Sequence, residues 1–148
     1  MRILLQRVTS ASVDVEQQTI GAIEQGVLLL VGFTHEDEDM NLVRGVEKVL
    51  NLRIFTDERG RLHHSVQDIA GGVLLVPQFT LYANTDRGRR PDFIAAMKPE
   101  LATTRFDELV ALFRERASGK VATGQFGADM QVSLVNDGPV TLELEFND

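Results

Sequence analysis

Ala11, Val13 and Val15 alternate with Ser10, Ser12, Asp14 and Glu16, and Val140, Leu142, Leu144 and Phe146 alternate with Thr141, Glu143 and Glu145. Successive strand side chains point to opposite faces, so each stretch predicts a strand with one buried and one solvated face. The uninterrupted apolar runs at residues 26–33 and 73–76 predict strands buried on both faces. Two other stretches have helical spacing. Leu42, Val46, Val49 and Leu50 follow Glu36-Asp37-Glu38-Asp39, an acidic opening that suits the positive end of a helix dipole. Phe106, Leu109, Val110, Phe113 and Ala117 form one apolar stripe, with Thr104 and Asp107 predicting a capped start and Gly119 a stop.

Strands therefore dominate both ends and two helices interrupt them. The short links at Gln17-Gln18 and Asn136-Asp137-Gly138-Pro139 predict antiparallel neighbours. The expected class is α+β, an antiparallel barrel-like sheet backed by two main helices. No repeat or Pro/Gly/Ser-rich linker divides the 148 residues, so one domain over 1–148 is expected.

Composition narrows the chemistry. With no Cys, disulfides, zinc ribbons and thiol nucleophiles are excluded. The longest apolar run, residues 27–31, is far short of the roughly 20 residues of a membrane span, and residues 1–7 lack the pattern of a signal peptide. No membrane partner and a cytoplasmic location are expected. A net charge of −7 argues against a general nucleic-acid binder but leaves room for a local contact with a nucleic-acid end.

Candidate side chains are few. His35, His63 and His64 are the histidines; neighbours on a strand point apart, so His63 and His64 read first as solvated strand-edge residues and only secondarily as a base. No HExxH, GxxxxGK[ST] or GxGxxG occurs, and no metal or cofactor is predicted. The acids at 36–39 read as a solvated helical turn. Arg87, Arg89 and Arg90 form a cationic loop that is either simply solvated or a phosphate contact. In Val76-Pro77-Gln78-Phe79-Thr80-Leu81, Pro77 interrupts a ladder at the end of a buried strand. Asn136-Asp137-Gly138-Pro139-Val140-Thr141 reads as a turn into the last strand.

Taken together, these segments resemble the D-aminoacyl-tRNA deacylases of the bacterial and eukaryotic type nearly end to end. The resemblance runs through Leu5-Gln6-Arg7-Val8, residues 28–32, Asn51-Leu52-Arg53-Ile54-Phe55 and Gln78-Phe79-Thr80-Leu81-Tyr82-Ala83. It continues in Gly88-Arg89-Arg90-Pro91, Phe126-Gly127-Ala128-Asp129-Met130 and Val135-Asn136-Asp137-Gly138-Pro139-Val140-Thr141. It implies a homodimer with sites at the subunit interface. The implied reaction is hydrolysis of the ester of D-aminoacyl-tRNA, and of glycyl-tRNA, with L-aminoacyl-tRNA spared. Gln78, Phe79 and Thr80 are the implied catalytic segment. Gly138, Pro139, Val140 and Thr141 are implied in substrate binding and chiral selection, with a cis Gly138-Pro139 bond inserted into the partner's site. The resemblance also implies that Phe126 and Met130, with Gln78 and Phe79, hold the terminal adenosine, and that Arg7 ties the inserted loop at the interface. Arg87, Arg89 and Arg90 become candidates for tRNA phosphates on charge alone.

Thr80 has no activating base identifiable in the sequence, so water activation by the substrate's ribose 2′-hydroxyl is the preferred mechanism. Two positions depart from the family pattern. Pro77 stands where serine is usual, as in a related animal deacylase acting on L-alanyl-tRNA-Thr, although residues 136–141 keep the D-specific form. Leu62-His63-His64-Ser65 replaces the commoner Met-Asn-x-Ser. The competing readings are a non-catalytic module for RNA 3′ ends or adenosine, and a metal-assisted hydrolase using His63 or His64.

Overall fold

A computed structural model describes residues 1–147. The chain opens with β1 (Arg2–Val15), β2 (Gln18–Ile23) and β3 (Gly26–Gly32), then α1 (Leu42–Asn51) and the small hairpin β4 (Phe55–Thr56) and β5 (Leu62–His64). It closes with β6 (Gly72–Pro77), a 3-10 turn (Phe79–Tyr82), α2 (Pro99–Arg116), β7 (Val121–Thr123) and β8 (Gln131–Glu145). The main sheet runs β2-β1-β3-β6-β7, with β8 paired to β1.

The two pairings of β6 correct the expected antiparallel sheet: β3 pairs β6 in parallel, and β6 pairs β7 in parallel. Each of these returns passes through a helix, and a crossover of that kind brings the chain back in its original direction. The apolar runs read as doubly buried strands are the parallel ones, and every residue of β6 except Pro77 is buried. The sheet curls until β2 meets β7. A Cβ on Gly21 would lie 2.6 Å from the Thr123 carbonyl oxygen, so only a glycine lets the two edges come this close. The result is a nearly closed, mixed barrel.

One core fills the barrel, around Val8, Val13, Leu28, Leu74 and Val76. A larger one lies between the sheet and the helices, around Ile3, Leu5, Leu29, Leu75, Val46, Leu109 and Phe113. β1 serves both. Ile3 and Leu5 face the helices, Val8, Ala11 and Val13 face the barrel, and its register with β8 breaks on either side of Val8.

Both helix starts differ from expectation. α2 begins at Pro99, whose fixed φ suits a first helical position, and Thr104 lies inside it, donating its hydroxyl to the Glu100 carbonyl. Its C-cap is Ala117, not a glycine. α1 is capped by Asn41, whose side chain accepts from the Val43 N–H at 3.1 Å. Of the preceding acids, Asp37 is buried and holds the Met1 ammonium at 2.7 Å and the Thr34 N–H at 2.7 Å. No helix among the described residues is long and apolar enough to cross a membrane.

Candidate functional site

At the end of β6 the ladder makes its last regular step when the Gln78 N–H donates to the Val31 carbonyl at 2.7 Å. Pro77, paired with Val31, does not interrupt this ladder as expected; the chain leaves it only after Gln78, folding into the 3-10 turn Phe79–Tyr82. Tyr82 anchors that turn from below: its ring is buried, and burial pushes its hydroxyl pKa up. Arg2 lies 4.5 Å over the ring and donates to the Leu81 carbonyl at 2.9 Å. The first bond of the turn runs from the Leu81 N–H to the Gln78 carbonyl, so the turn itself does not use the Phe79 and Thr80 amides. Thr80 is exposed, and its hydroxyl oxygen accepts from Gln78 Nε2. An amide can hold that oxygen in place but cannot take a proton from it.

Beside the turn lies a cavity of about 670 Å³. Gln78, Phe79, Phe126 and Met130, all singled out from the sequence, line it together with Pro77. Phe126 is half-buried against Phe106, and the Phe79 ring meets Phe93 edge to face at 5.0 Å. Met130 folds back so that its sulfur accepts from the Gln125 N–H at 3.4 Å. The sequence reading missed Phe93, Met97, Lys98 and Val132, which complete the walls. Their only signal was indirect, in the Lys98-Pro99-Glu100 helix start and the alternation of residues 130, 132 and 134.

The second motif sits elsewhere. Residues 136–139 do not form a turn between two strands; they interrupt a single strand, β8, that pairs with β1 on both sides. Gln6 pairs with Thr141 and Val8 with Asn136, so Arg7 alone stands opposite residues 137–140, which bulge outward. Arg7 is buried and fills the gap in the ladder. Its Nε donates to the Asp137 carbonyl at 2.9 Å and its Nη1 to the Ile54 carbonyl at 2.7 Å. The Asp137 carboxylate lies 3.5 Å from the same guanidinium. The Gly138-Pro139 bond is cis, and Gly138 has φ +122°, a conformation other residues avoid. A Cβ there would also stand 2.9 Å from Arg7 Nη2. Gly138, Pro139 and Thr141 are exposed, Val140 is half-buried, and none of the four lines the cavity.

Arg87, Arg89 and Arg90 are exposed on a loop closed by two hydrogen bonds between the Asn84 and Asp92 backbones. His63 and His64 face each other at 5.0 Å in a separate polar recess beside Asp57 and Arg59. Among the described residues no group of three or more His, Asp or Glu could hold a metal ion.

The family model for D-Tyr-tRNA(Tyr) deacylase matches residues 4–145, which include the turn, the cavity walls and the bulge. The chain belongs to that family. A D-aminoacyl-tRNA deacylase from Chromohalobacter salexigens is 52% identical over 145 residues, covering 98% of this chain and 99% of the relative. One from Chloroherpeton thalassium is 50% identical over 145 residues, covering 98% and 95%. A solved structure described as "c-Myc DNA Unwinding Element Binding Protein" superposes with a TM-score of 0.92 at 42% identity, covering 99% of both chains. As a member of the D-Tyr-tRNA(Tyr) deacylase family, the chain is an enzyme of the D-aminoacyl-tRNA deacylase type.

Proposed function

We propose that the enzyme hydrolyses the ester between a D-amino acid and the 3′-terminal adenosine of tRNA, releasing the amino acid and free tRNA. One observation carries this reading. The segments that resemble the family build an apolar cavity of nucleoside-binding size, about 670 Å³, whose rim carries a turn with two uncommitted amides. The adenine base packs between Phe126, Met130 and Phe79, where stacking is favourable whatever the net charge of the chain. The ester then lies over the Phe79 and Thr80 amides, which face the oxygen that becomes negative in the transition state. With Gln78 as Thr80's partner, the hydroxyl has no base beside it, and the ribose 2′-hydroxyl activates the attacking water.

Chiral selection requires a second copy of the chain. The bulge at residues 137–140 stands on Arg7 and Ile54 of its own chain, away from its own cavity. It completes the site of a partner in a homodimer. There the Gly138 and Pro139 carbonyl oxygens meet the substrate's ammonium and α-hydrogen and leave no room where an L side chain projects. D and L esters carry identical groups, so discrimination must come from exclusion. Glycine has nothing to exclude and is hydrolysed as well. The exposed Arg87, Arg89 and Arg90 meet tRNA phosphates.

The test is release of tyrosine from D-Tyr-tRNA, with L-Tyr-tRNA and Gly-tRNA alongside. The D and glycyl esters should be cleaved and the L ester left intact, with no loss on adding a chelator. An intact D ester with tight RNA binding would establish a binding module instead.

A further inference from the structure

We propose that Lys98 recognises the 5′-phosphate of the nucleotide seated in the apolar cavity, making this an adenosine 5′-phosphate site and not a nucleoside site. The inference rests on the adenosine reading above and adds the group that senses charge. The cavity is walled by apolar side chains, the Gln78 amide and Lys98, with no Asp or Glu among them. Arg2, Arg7, Arg61, Arg105 and Arg116 stand within ion-pair distance of a carboxylate; Lys98, like several other cations, makes no ion pair among the described residues, and it is the one cation among the residues that line the cavity. In a chain of net charge −7, an unmatched cation beside an apolar hollow needs a reason.

Helix stability does not supply one. Lys98 occupies the N-cap of α2, where its side chain makes no capping bond and its positive charge opposes the helix dipole. Ser, Thr, Asp or Asn would serve that position better. The backbone at Lys98 is nevertheless firmly held. The neighbouring Met97 is buried and its N–H donates to the Phe33 carbonyl at 3.0 Å, while the Lys98 carbonyl accepts from the Ala102 N–H at 2.9 Å. Pro99 follows with its φ locked. The side chain thus swings from a fixed point at the exposed rim of the cavity, with no carboxylate among the lining residues to compete for its charge. A lysine presents a point charge, which suits one phosphate group of variable orientation.

That phosphate is either the phosphodiester joining the terminal nucleotide to RNA or the monophosphate of a free adenine nucleotide. Equilibrium titration of the full chain with adenosine, AMP and the trinucleotide CCA separates them. The wild type should bind AMP about three- to tenfold more tightly than adenosine, a gain that fades with added salt. Lys98→Met should abolish the difference and Lys98→Arg should keep most of it. An equal gain for CCA, with KM for D-Tyr-tRNA raised in Lys98→Met by the same factor and kcat following the wild type, identifies the phosphodiester. A gain for AMP alone retains Lys98 as the phosphate reader and assigns the site to free nucleotides. Equal binding of adenosine and AMP by the wild type, no binding of either, or an undiminished difference in Lys98→Met overturns the proposal. Because these are binding measurements, they stand apart from hydrolysis: a protein that prefers AMP through Lys98 yet leaves D-Tyr-tRNA intact refutes the esterase reading and not this one.

Discussion

At the end of β6 the ladder runs through Pro77 to the Gln78 N–H, and the chain then turns back over Tyr82 and Arg2 to form the rim of a cavity. In the middle of β8 the ladder opens around Arg7 and closes again four residues later, pushing Gly138 and Pro139 outward. Both places use an arginine that donates to backbone carbonyls, but the first bends inward toward a hollow and the second projects away from one. A loop held this rigidly, and exposed at its tip, is suited to act on another molecule. The difference teaches that the cavity and the bulge are built on separate parts of one chain, so that, on the proposed reading, changes to each should fail differently.

The largest effect is expected from Arg7→Ala. It leaves the Asp137 and Ile54 carbonyls without their buried donor, at a cost of about 2–4 kcal/mol in stability. Untethering the bulge should also lower D-Tyr-tRNA turnover by about a hundredfold or relax discrimination against L-Tyr-tRNA, since misplacement by about 1 Å can cost that much. Denaturant unfolding and paired D and L ester assays on a temperature-matched sample report the two losses. Stable protein with unchanged turnover and selectivity would show that the bulge is a bystander.

Phe126→Ala attacks the other region. If Phe126 stacks on the terminal adenine as proposed, its removal should raise KM for D-Tyr-tRNA by about tenfold while selectivity between D and L esters is kept, because stacking on one aromatic contributes about 1–3 kcal/mol. A selectivity change without a KM change would merge the two regions into one.

Much of this architecture could be read from the chain alone. The alternation at residues 10–16 and 140–146, the buried runs and the stripe from Phe106 to Phe113 all lie in the expected elements, because period and burial are local properties. The parallel pairings were not legible. Direction is decided by crossovers of tens of residues, which leave no mark on the strands beyond continuous apolarity. Residues 136–139 have the composition of a turn, and only the register with β1 shows that one arginine faces four residues. Asp37 looked like one more solvated acid because its partner, the Met1 ammonium, is 36 positions away in sequence. Phe93, Met97 and Lys98 escaped notice for the same reason: they belong to the cavity through tertiary packing and not through any pattern of their own.

A smaller effect is expected at Thr80. If the ribose hydroxyl activates water, Thr80→Ala loses only the acceptor that steadies Gln78, and turnover of D-Tyr-tRNA should fall by about two- to tenfold. Loss of about a thousandfold or more with binding intact would make the hydroxyl the nucleophile, and a substrate with a 2′-deoxy terminal adenosine would then react normally. The two substitutions, one in the protein and one in the RNA, should have opposite severities.

The smallest effect concerns the ground on which the bulge stands. Ile54, whose carbonyl holds Arg7, leads into the hairpin in which Phe55 pairs with His64. The turn after that hairpin is closed when the Ser65 N–H donates to the Asp68 carboxylate at 2.9 Å and the Asp68 N–H to Ser65 Oγ at 3.0 Å. The Ser65 backbone bond, followed by its hydroxyl, holds the Asp68 carboxyl below its ordinary value of 3.8. A carboxyl depressed in the folded state contributes stability that is complete above 3.8 and is lost as pH falls through the folded value. Asp68→Asn cannot titrate, so wild type should be the more stable protein near neutrality and the gap should close as the pH drops to about 2. Urea unfolding of both proteins across that range measures it. A gap that stays constant would mean that Asp68 acts through its shape alone. A gap that closes together with a loss of L-ester rejection after return to assay pH would be unexpected, because the turn reforms on neutralisation and the bulge with it.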